Sequence, residues 1–228
     1  MADRLEGRFA FEGSGLPALT VAIQAGGESR RMGRSKATVP FLGRPLIERL
    51  VTRVAPISDE ILITTNEADR LAFLREHPAA DRIRMCSDVY DRRGSLTGMV
   101  TALRNASNDY VAVCACDMVF VSPELFLAEY RCLLDDPTLD LVLPRTQFGY
   151  EPFHGVYRRR TCLEGLTRAV DDGVESIRGF VSTMTSREFT MDEVGAIVPQ
   201  GRCFVNANTP DELRHAERLV LELEGAAC

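Results

Sequence analysis

The sequence predicts an α/β fold built on a mostly parallel sheet. Three observations predict it. Short apolar runs rich in β-branched residues alternate with segments of helical period over the first ~145 residues. Most of those runs end on glycine, asparagine or aspartate, the residues that turn a strand into a loop. No repeat, heptad or low-complexity linker breaks the pattern.

The elements follow in order. Leu19–Ile23 reads as a buried strand that runs into the glycine loop at Gly26-Gly27. Pro45–Val54 reads as a helix, because Leu46, Ile47, Leu50, Val51 and Val54 fall on one face. Glu60–Thr65 is a second strand, ending at Asn66, with a helix expected next and a short strand at Arg82–Cys86. Leu96–Asn105 is helical, and Tyr110–Cys116 is a strand of small and β-branched residues that stops at Asp117. Ser122-Pro123-Glu124 supplies an N-cap, a first-turn proline and an early acid, so a helix starts there.

Asp140–Leu143 is another strand. From about residue 146 to about residue 200 the alternation loosens into an irregular excursion. It is expected to hold a strand at Glu151–Tyr157 and helices within Cys162–Ser182. A strand is expected at Cys203–Val205, and Thr209-Pro210-Asp211-Glu212 is a capping box that opens the last helix. Residues 1–17 show no period and are read as a loose extension, leaving 18–228 as one domain.

Composition narrows the function. The chain carries 27 Lys plus Arg against 33 Asp plus Glu, a net charge of −6, which argues against broad nucleic-acid binding. An anionic ligand must then be met by a local basic patch. No apolar run approaches the ~20 residues of a membrane span. Met1–Thr20 has neither a signal-peptide core nor the character of a transit peptide, so a cytoplasmic protein is expected. Seven cysteines without regular spacing fit reduced thiols. Cys114 and Cys116 stand too close together for a zinc knuckle and read as small strand residues. All of the basic residues are arginine except one, Lys36.

In open α/β sheets ligands bind beyond the carboxyl ends of the strands. The residues placed there are Gln24, Ala25, Gly26 and Gly27, then Asn66, Asp88, Asp117 and the Asn206-Ala207-Asn208 segment. Each alone is an ordinary turn residue; together at one crevice they favour a site. The loop from Gly26 to Lys36 holds three glycines and four basic residues, Arg30, Arg31, Arg34 and Lys36. Glycines let backbone N–H groups approach oxyanions, and the charge suits a triphosphate. The spacing matches neither a P-loop nor a dinucleotide fingerprint. Asp117 is placed to hold Mg²⁺, which takes one or two carboxylates together with phosphate oxygens and water. His77, His154 and His215 are scattered and suggest no nucleophile–base arrangement.

Ala25-Gly26-Gly27-Glu28-Ser29-Arg30-Arg31-Met32-Gly33-Arg34-Ser35-Lys36 resembles the A-G-G-x-S-x-R-M-G-x-D-K signature of the molybdenum cofactor guanylyltransferase family. Gly94-Ser95-Leu96-Thr97-Gly98, Cys116-Asp117-Met118 and Val205-Asn206-Ala207-Asn208-Thr209-Pro210 resemble its later motifs, in family order. The resemblance implies a three-layer Rossmann-like nucleotidyltransferase fold, of the nucleotide-diphospho-sugar transferase type, with a mostly parallel mixed sheet. It implies transfer of GMP from GTP to molybdopterin, release of pyrophosphate and a need for Mg²⁺. It places Gln24, Ala25, Gly26, Gly27, Lys36, Asn66, Asp88 and Asp117 on the nucleotide. Arg31, Lys36 and Asp117 become catalytic, with Asp117 on the metal. Asn206 and Asn208 would serve the metal shell or the second substrate. GTP and molybdopterin are the expected small-molecule partners, with transient contact to cofactor-delivering or acceptor proteins. Departures are Gln24 for leucine, Ser35 for aspartate, and Ser95 and Val119 for prolines. The paired glycines favour guanylyl over cytidylyl transfer. Two other readings stay open: CTP or another phosphorylated acceptor, and a nucleotide-binding regulator without catalysis.

Overall fold

A computed structural model describes residues 17–26, 35–91, 94–174 and 176–225. An eight-stranded sheet forms its centre. The strands are β1 (Thr20–Gln24), β4 (Glu60–Thr64), β5 (Ile83–Cys86), β6 (Tyr110–Ala115), β7 (Leu141–Thr146), β8 (Gly149–Tyr150), β9 (His154–Arg158) and β10 (Ser186–Phe189). Their order is β10-β7-β9-β6-β1-β4-β5, with β8 paired to β7. β1 lies parallel to both β4 and β6, and β5 parallel to β4. β9 runs antiparallel to β6 and β7, while β10 is parallel to β7. The sheet is thus mixed and mostly parallel, as predicted.

Side-chain alternation along the strands divides the core into two layers. On one face Val21 and Ile23 pack with helices α1 (Leu46–Val54), α3 (Pro123–Asp135), α6 (Met191–Ile197) and α7 (Pro210–Gly225). On the other face Ala22 packs with α2 (Ser95–Asn105), α4 (Arg159–Asp171) and α5 (Ile177–Val181). The apolar stripe read for α1 is buried along its full length. Ser122 caps α3 as predicted, its Oγ accepting from Leu125 N at 3.2 Å.

Several expectations are corrected. The segment after Asn66 is a 3₁₀ helix, Ala68–Glu76, rather than an α-helix. Only Leu71 and Leu74 are buried in it, a three-residue spacing that suits 3.0 residues per turn. The strand expected from Glu151 starts later, at His154, because residues 151–154 form a turn in which His154 N donates to Glu151 O at 2.9 Å. No strand forms at Cys203–Val205. Pro199 opens a 3₁₀ turn to Phe204, and Gly201 takes a left-handed φ of 57° within it. Pairing there is a single bridge between Asn206 and Met118. Unforeseen were β8, β10, α6 and a small hairpin of β2 (Pro40–Phe41) and β3 (Arg44–Pro45). That hairpin turns at Leu42-Gly43, both with positive φ, which matches the twist of a two-residue connection. The expected extension 1–17 lies, except for Pro17, outside the described residues.

Candidate active site

Ladder hydrogen bonds continue one residue past the strand ends. Ala25 N donates to Thr64 O at 2.9 Å, Thr65 N to Cys86 O at 2.8 Å, and Cys116 N to Gln24 O at 3.0 Å. The chain therefore leaves β1, β4, β5 and β6 at one level. Ala25, Gly26, Asn66, Asp88 and Asp117 share one rim of the sheet.

At that rim Lys36 Nζ donates to Asp117 Oδ2 at 2.7 Å and to Asn208 Oδ1 at 2.6 Å. Three distant stretches build this contact. Lys36 opens a 3₁₀ turn, Lys36–Thr38, seated by the buried residues Ala37, Val39 and Phe41. Asp117 begins a tight reversal between β6 and α3, in which Val119 N returns to Asp117 O at 3.1 Å. Asn208 precedes α7, where Glu212 accepts from Asn208 N at 2.6 Å and from Thr209 N at 3.2 Å. The capping box read from the sequence thus also orients Asn208. The last segment is stitched to the reversal, since Ala207 N donates to Asp117 O at 3.0 Å. The Lys36 and Asp117 side chains are 19% and 15% exposed, so the ion pair is sheltered yet open to a ligand.

A second pair lies on the other side of β1. Asn66 Nδ2 donates to Asp88 Oδ2 at 2.9 Å, and Asp88 N donates back to Asn66 Oδ1 at 3.0 Å. This reciprocal brace holds the carboxylate toward Gly26, where an added Cβ would stand 3.5 Å from Asp88 Oδ2. Gln24 turns toward the α2 face. Its carboxamide lies against Gly98, where a Cβ would come within 2.8 Å of Oε1. The Gln24 Nε2 is buried and has no hydrogen-bond partner among the described residues.

The sequence-predicted residues are therefore sorted. Lys36, Asp117 and Asn208 meet directly, and Asn66 meets Asp88. Asn206 is exposed and pairs through its backbone with Met118. Gly27 and Arg31 lie outside the described residues. Arg158 is a structural residue. Its guanidinium reaches Leu139 O at 2.9 Å, Leu133 O at 3.0 Å and Tyr110 Oη at 3.0 Å. It pairs with Tyr110 at the start of β6, the sheet edge opposite the rim. Burial pushes the Cys116 thiol up to about 12, so no thiolate adjoins Asp117. Among the described residues no group of three or more His, Cys, Asp and Glu is placed to hold a metal. What the site offers a cation is the Asp117 carboxylate and the Asn208 carboxamide oxygen, hard oxygen donors of the kind Mg²⁺ accepts.

A family model described as the MobA-like NTP transferase domain matches residues 21–187, which include both clusters except Asn208. The chain belongs to this family. Over 206 residues it is 31% identical to the molybdenum cofactor guanylyltransferase of Desulfosudis oleivorans, covering 90% of this chain and 97% of that protein. The crystal structure of molybdopterin-guanine dinucleotide biosynthesis protein A from Archaeoglobus fulgidus superposes with a TM-score of 0.74. It is 25% identical, and the match covers 89% of this chain and 99% of that one. A CMP:2-keto-3-deoxy-manno-octonic acid synthetase in complex with CTP shares the fold, with a TM-score of 0.62 at 14% identity over 90% of this chain and 98% of the other. The MobA-like domain is thus a nucleotidyltransferase fold, and its two rim clusters lie on either side of the end of β1. Among the described residues no helix is long and apolar enough to cross a membrane.

Proposed function

We propose that the chain transfers GMP from GTP to the phosphate of molybdenum-bearing molybdopterin, releasing pyrophosphate, with Mg²⁺ as the cation. The observation that carries this reading is Lys36 held between Asp117 and Asn208 at the strand-end rim. The guanylyltransferase names of the relatives supply the substrate class.

The mechanism follows from the parts. Asn66 and Asp88 hold the nucleoside, with the Gln24 carboxamide as a further polar contact on the α2 side. The Ala25 N–H is held by Thr64 O, so the phosphates would draw on backbone N–H groups from Gly26 and Gly27 onward. An oxygen of the pterin phosphate bonds to the α-phosphorus of GTP, and the bond from that phosphorus to the α–β bridging oxygen breaks. Negative charge grows on the leaving pyrophosphate, and the Lys36 ammonium stabilises it, with Arg31 as a second cation. Mg²⁺, when bound at Asp117, would neutralise phosphate oxygens. Asn206 and Asn208 fix the far wall, Asn208 by orienting Lys36. No side chain needs to remove a proton, because the attacking phosphate is already an anion.

The test is direct. The purified protein is incubated with molybdopterin, Mg²⁺ and α-labelled GTP or CTP. Labelled dinucleotide from GTP is expected. Product from CTP alone would replace guanylyl with cytidylyl transfer, and nucleotide binding without pyrophosphate release would remove the catalytic reading.

A further inference from the structure

His154 takes no part in the chemistry above, yet it touches both segments that present Lys36 with its partners. It is completely buried on β9, opposite Cys114 of β6. Its ring stacks on Phe126 of α3, with centroids 4.2 Å apart and planes at 28°. Phe204 meets it edge-on at 5.8 Å and 81°. Its Nε2 accepts the Ser122 N–H at 3.1 Å.

Each contact leads to the site. Ser122 ends the reversal that starts at Asp117, and Val121 N closes that reversal on Met118 O at 3.1 Å. On the same stretch Arg53 Nε donates to Val121 O at 2.9 Å, so the reversal is gripped from two sides. Phe204 stands just before Val205 and the Asn206–Asn208 segment. Asp117 and Asn208 thus hang from two segments that share one buried ring.

The ring must be neutral for this. An imidazole that accepts through Nε2 carries its proton on Nδ1. Nδ1 faces Glu129 Oε1 across 3.9 Å, and both residues are fully buried. Burial pushes His154 down to about 3 and holds Glu129 well above the usual carboxylate range. Arg53 from α1 also acts on the ring, Cys114 of β6 is its cross-strand partner, and Cys203 from the 3₁₀ turn and Tyr157 of β9 stand near Glu129. A phenyl ring would keep the stacking but leave the buried Ser122 N–H without an acceptor.

We propose that His154 is a positioning residue for the transferase site, setting Asp117 through Ser122 and Asn208 through Phe204. The inference rests on the reading of Lys36, Asp117 and Asn208 as the transfer site. Shifting such groups by about an ångström costs up to about 100-fold in rate.

The experiment compares wild type with His154→Phe and His154→Gln, using GTP, Mg²⁺ and molybdopterin. The Phe variant is expected to lose about 10- to 100-fold in kcat, with the KM for GTP changed less than about threefold, because Asn66 and Asp88 lie beyond β1. The Gln variant, which can still accept from Ser122, should retain more of kcat. Both variants folded and turning over like wild type would overturn the proposal. Histidine ¹⁵N NMR of wild type tests it without activity. One of the three histidines should show a fixed Nδ1–H tautomer from pH 5 to 8; three ordinary titrations would overturn it. A wild type that forms no dinucleotide would instead sink the assigned reaction, and the NMR result would still decide the anchor.

Discussion

The Lys36 ammonium and the Asp117 carboxylate, 81 residues apart in sequence, meet at 2.7 Å at the rim of the sheet. Lys36 is the one lysine in a chain that otherwise uses arginine for every basic residue. Its Nζ also holds Asn208 at 2.6 Å, so a compact charge fills a narrow gap between two oxygens. A planar guanidinium is broader and fixed in its donor directions. Lys36→Ala is expected to lower kcat by about 10²- to 10³-fold. Lys36→Arg should also lose at least about tenfold, although it preserves charge. Steady-state kinetics on variants with wild-type circular dichroism check both.

Asp117→Asn keeps the shape of the side chain and removes its charge. The expected outcome is a fall of at least about 100-fold in kcat at low Mg²⁺, partly recovered as Mg²⁺ is raised. A Mg²⁺ titration of activity reads this. An unchanged titration curve would move the cation away from Asp117.

Asn66 and Asp88 brace each other, so their contributions should not add. Asn66→Ala and Asp88→Ala are each expected to raise the KM for GTP by about 5- to 20-fold, with a smaller effect on kcat. The double variant should be little worse than the poorer single one. A coupling energy of about 1 kcal/mol or more in the double-mutant cycle is the expected reading.

Gly98 and Gln24 are coupled by space. An alanine at 98 would place Cβ at 2.8 Å from Gln24 Oε1, so the carboxamide must swing aside. Gly98→Ala is expected to weaken GTP binding about as much as Gln24→Ala does. Isothermal titration of the two variants and their combination makes the test. Additive losses would show that the carboxamide does not act through this contact.

Glu60 gives a stability prediction remote from the rim. Burial raises its pKa, but hydrogen bonds from Thr20, Ser107 and Arg84 outweigh that and hold it below the usual carboxylate range. A depressed folded-state pKa contributes stability above the unfolded value, and that stability is lost as pH falls through the folded value. Glu60→Gln should therefore cost about 2 kcal/mol near neutral pH and flatten the acid limb of stability. Urea denaturation at pH 7 and pH 4 measures the difference.

Much of this was legible in the sequence, for identifiable reasons. β1, β4 and β6 are buried on both faces, so they read as unbroken β-branched runs. β10 escaped because it is an edge strand, Ser-Arg-Glu-Phe, with a single buried residue. The strand-end rule found Asp117, Asn66 and Asp88 because a parallel sheet delivers its loops to one edge. It could not pair Lys36 with Asn208, a contact spanning 172 residues that depends on how the final helix docks. His154 was passed over because its neighbours in sequence carry no signal; only the packing of α3 and the turn before Asn206 reveals its connections. The basic run Arg158-Arg159-Arg160 lies away from the rim, because the reversed direction of β9 carries its end to the far edge of the sheet.

The Lys36–Asn208 contact is also among the last that the chain can complete during synthesis. Every strand of the sheet is complete by Phe189, so a nascent chain emerging from the ribosome can build its entire central layer before Asn208 is made. Until Asn208 and the helix behind it arrive, Lys36 lacks the Asn208 oxygen. Under the proposed function, catalytic competence is thus a late event in the life of the polypeptide, and loss of the tail by proteolysis would leave a well-formed sheet without the Asn208 contact.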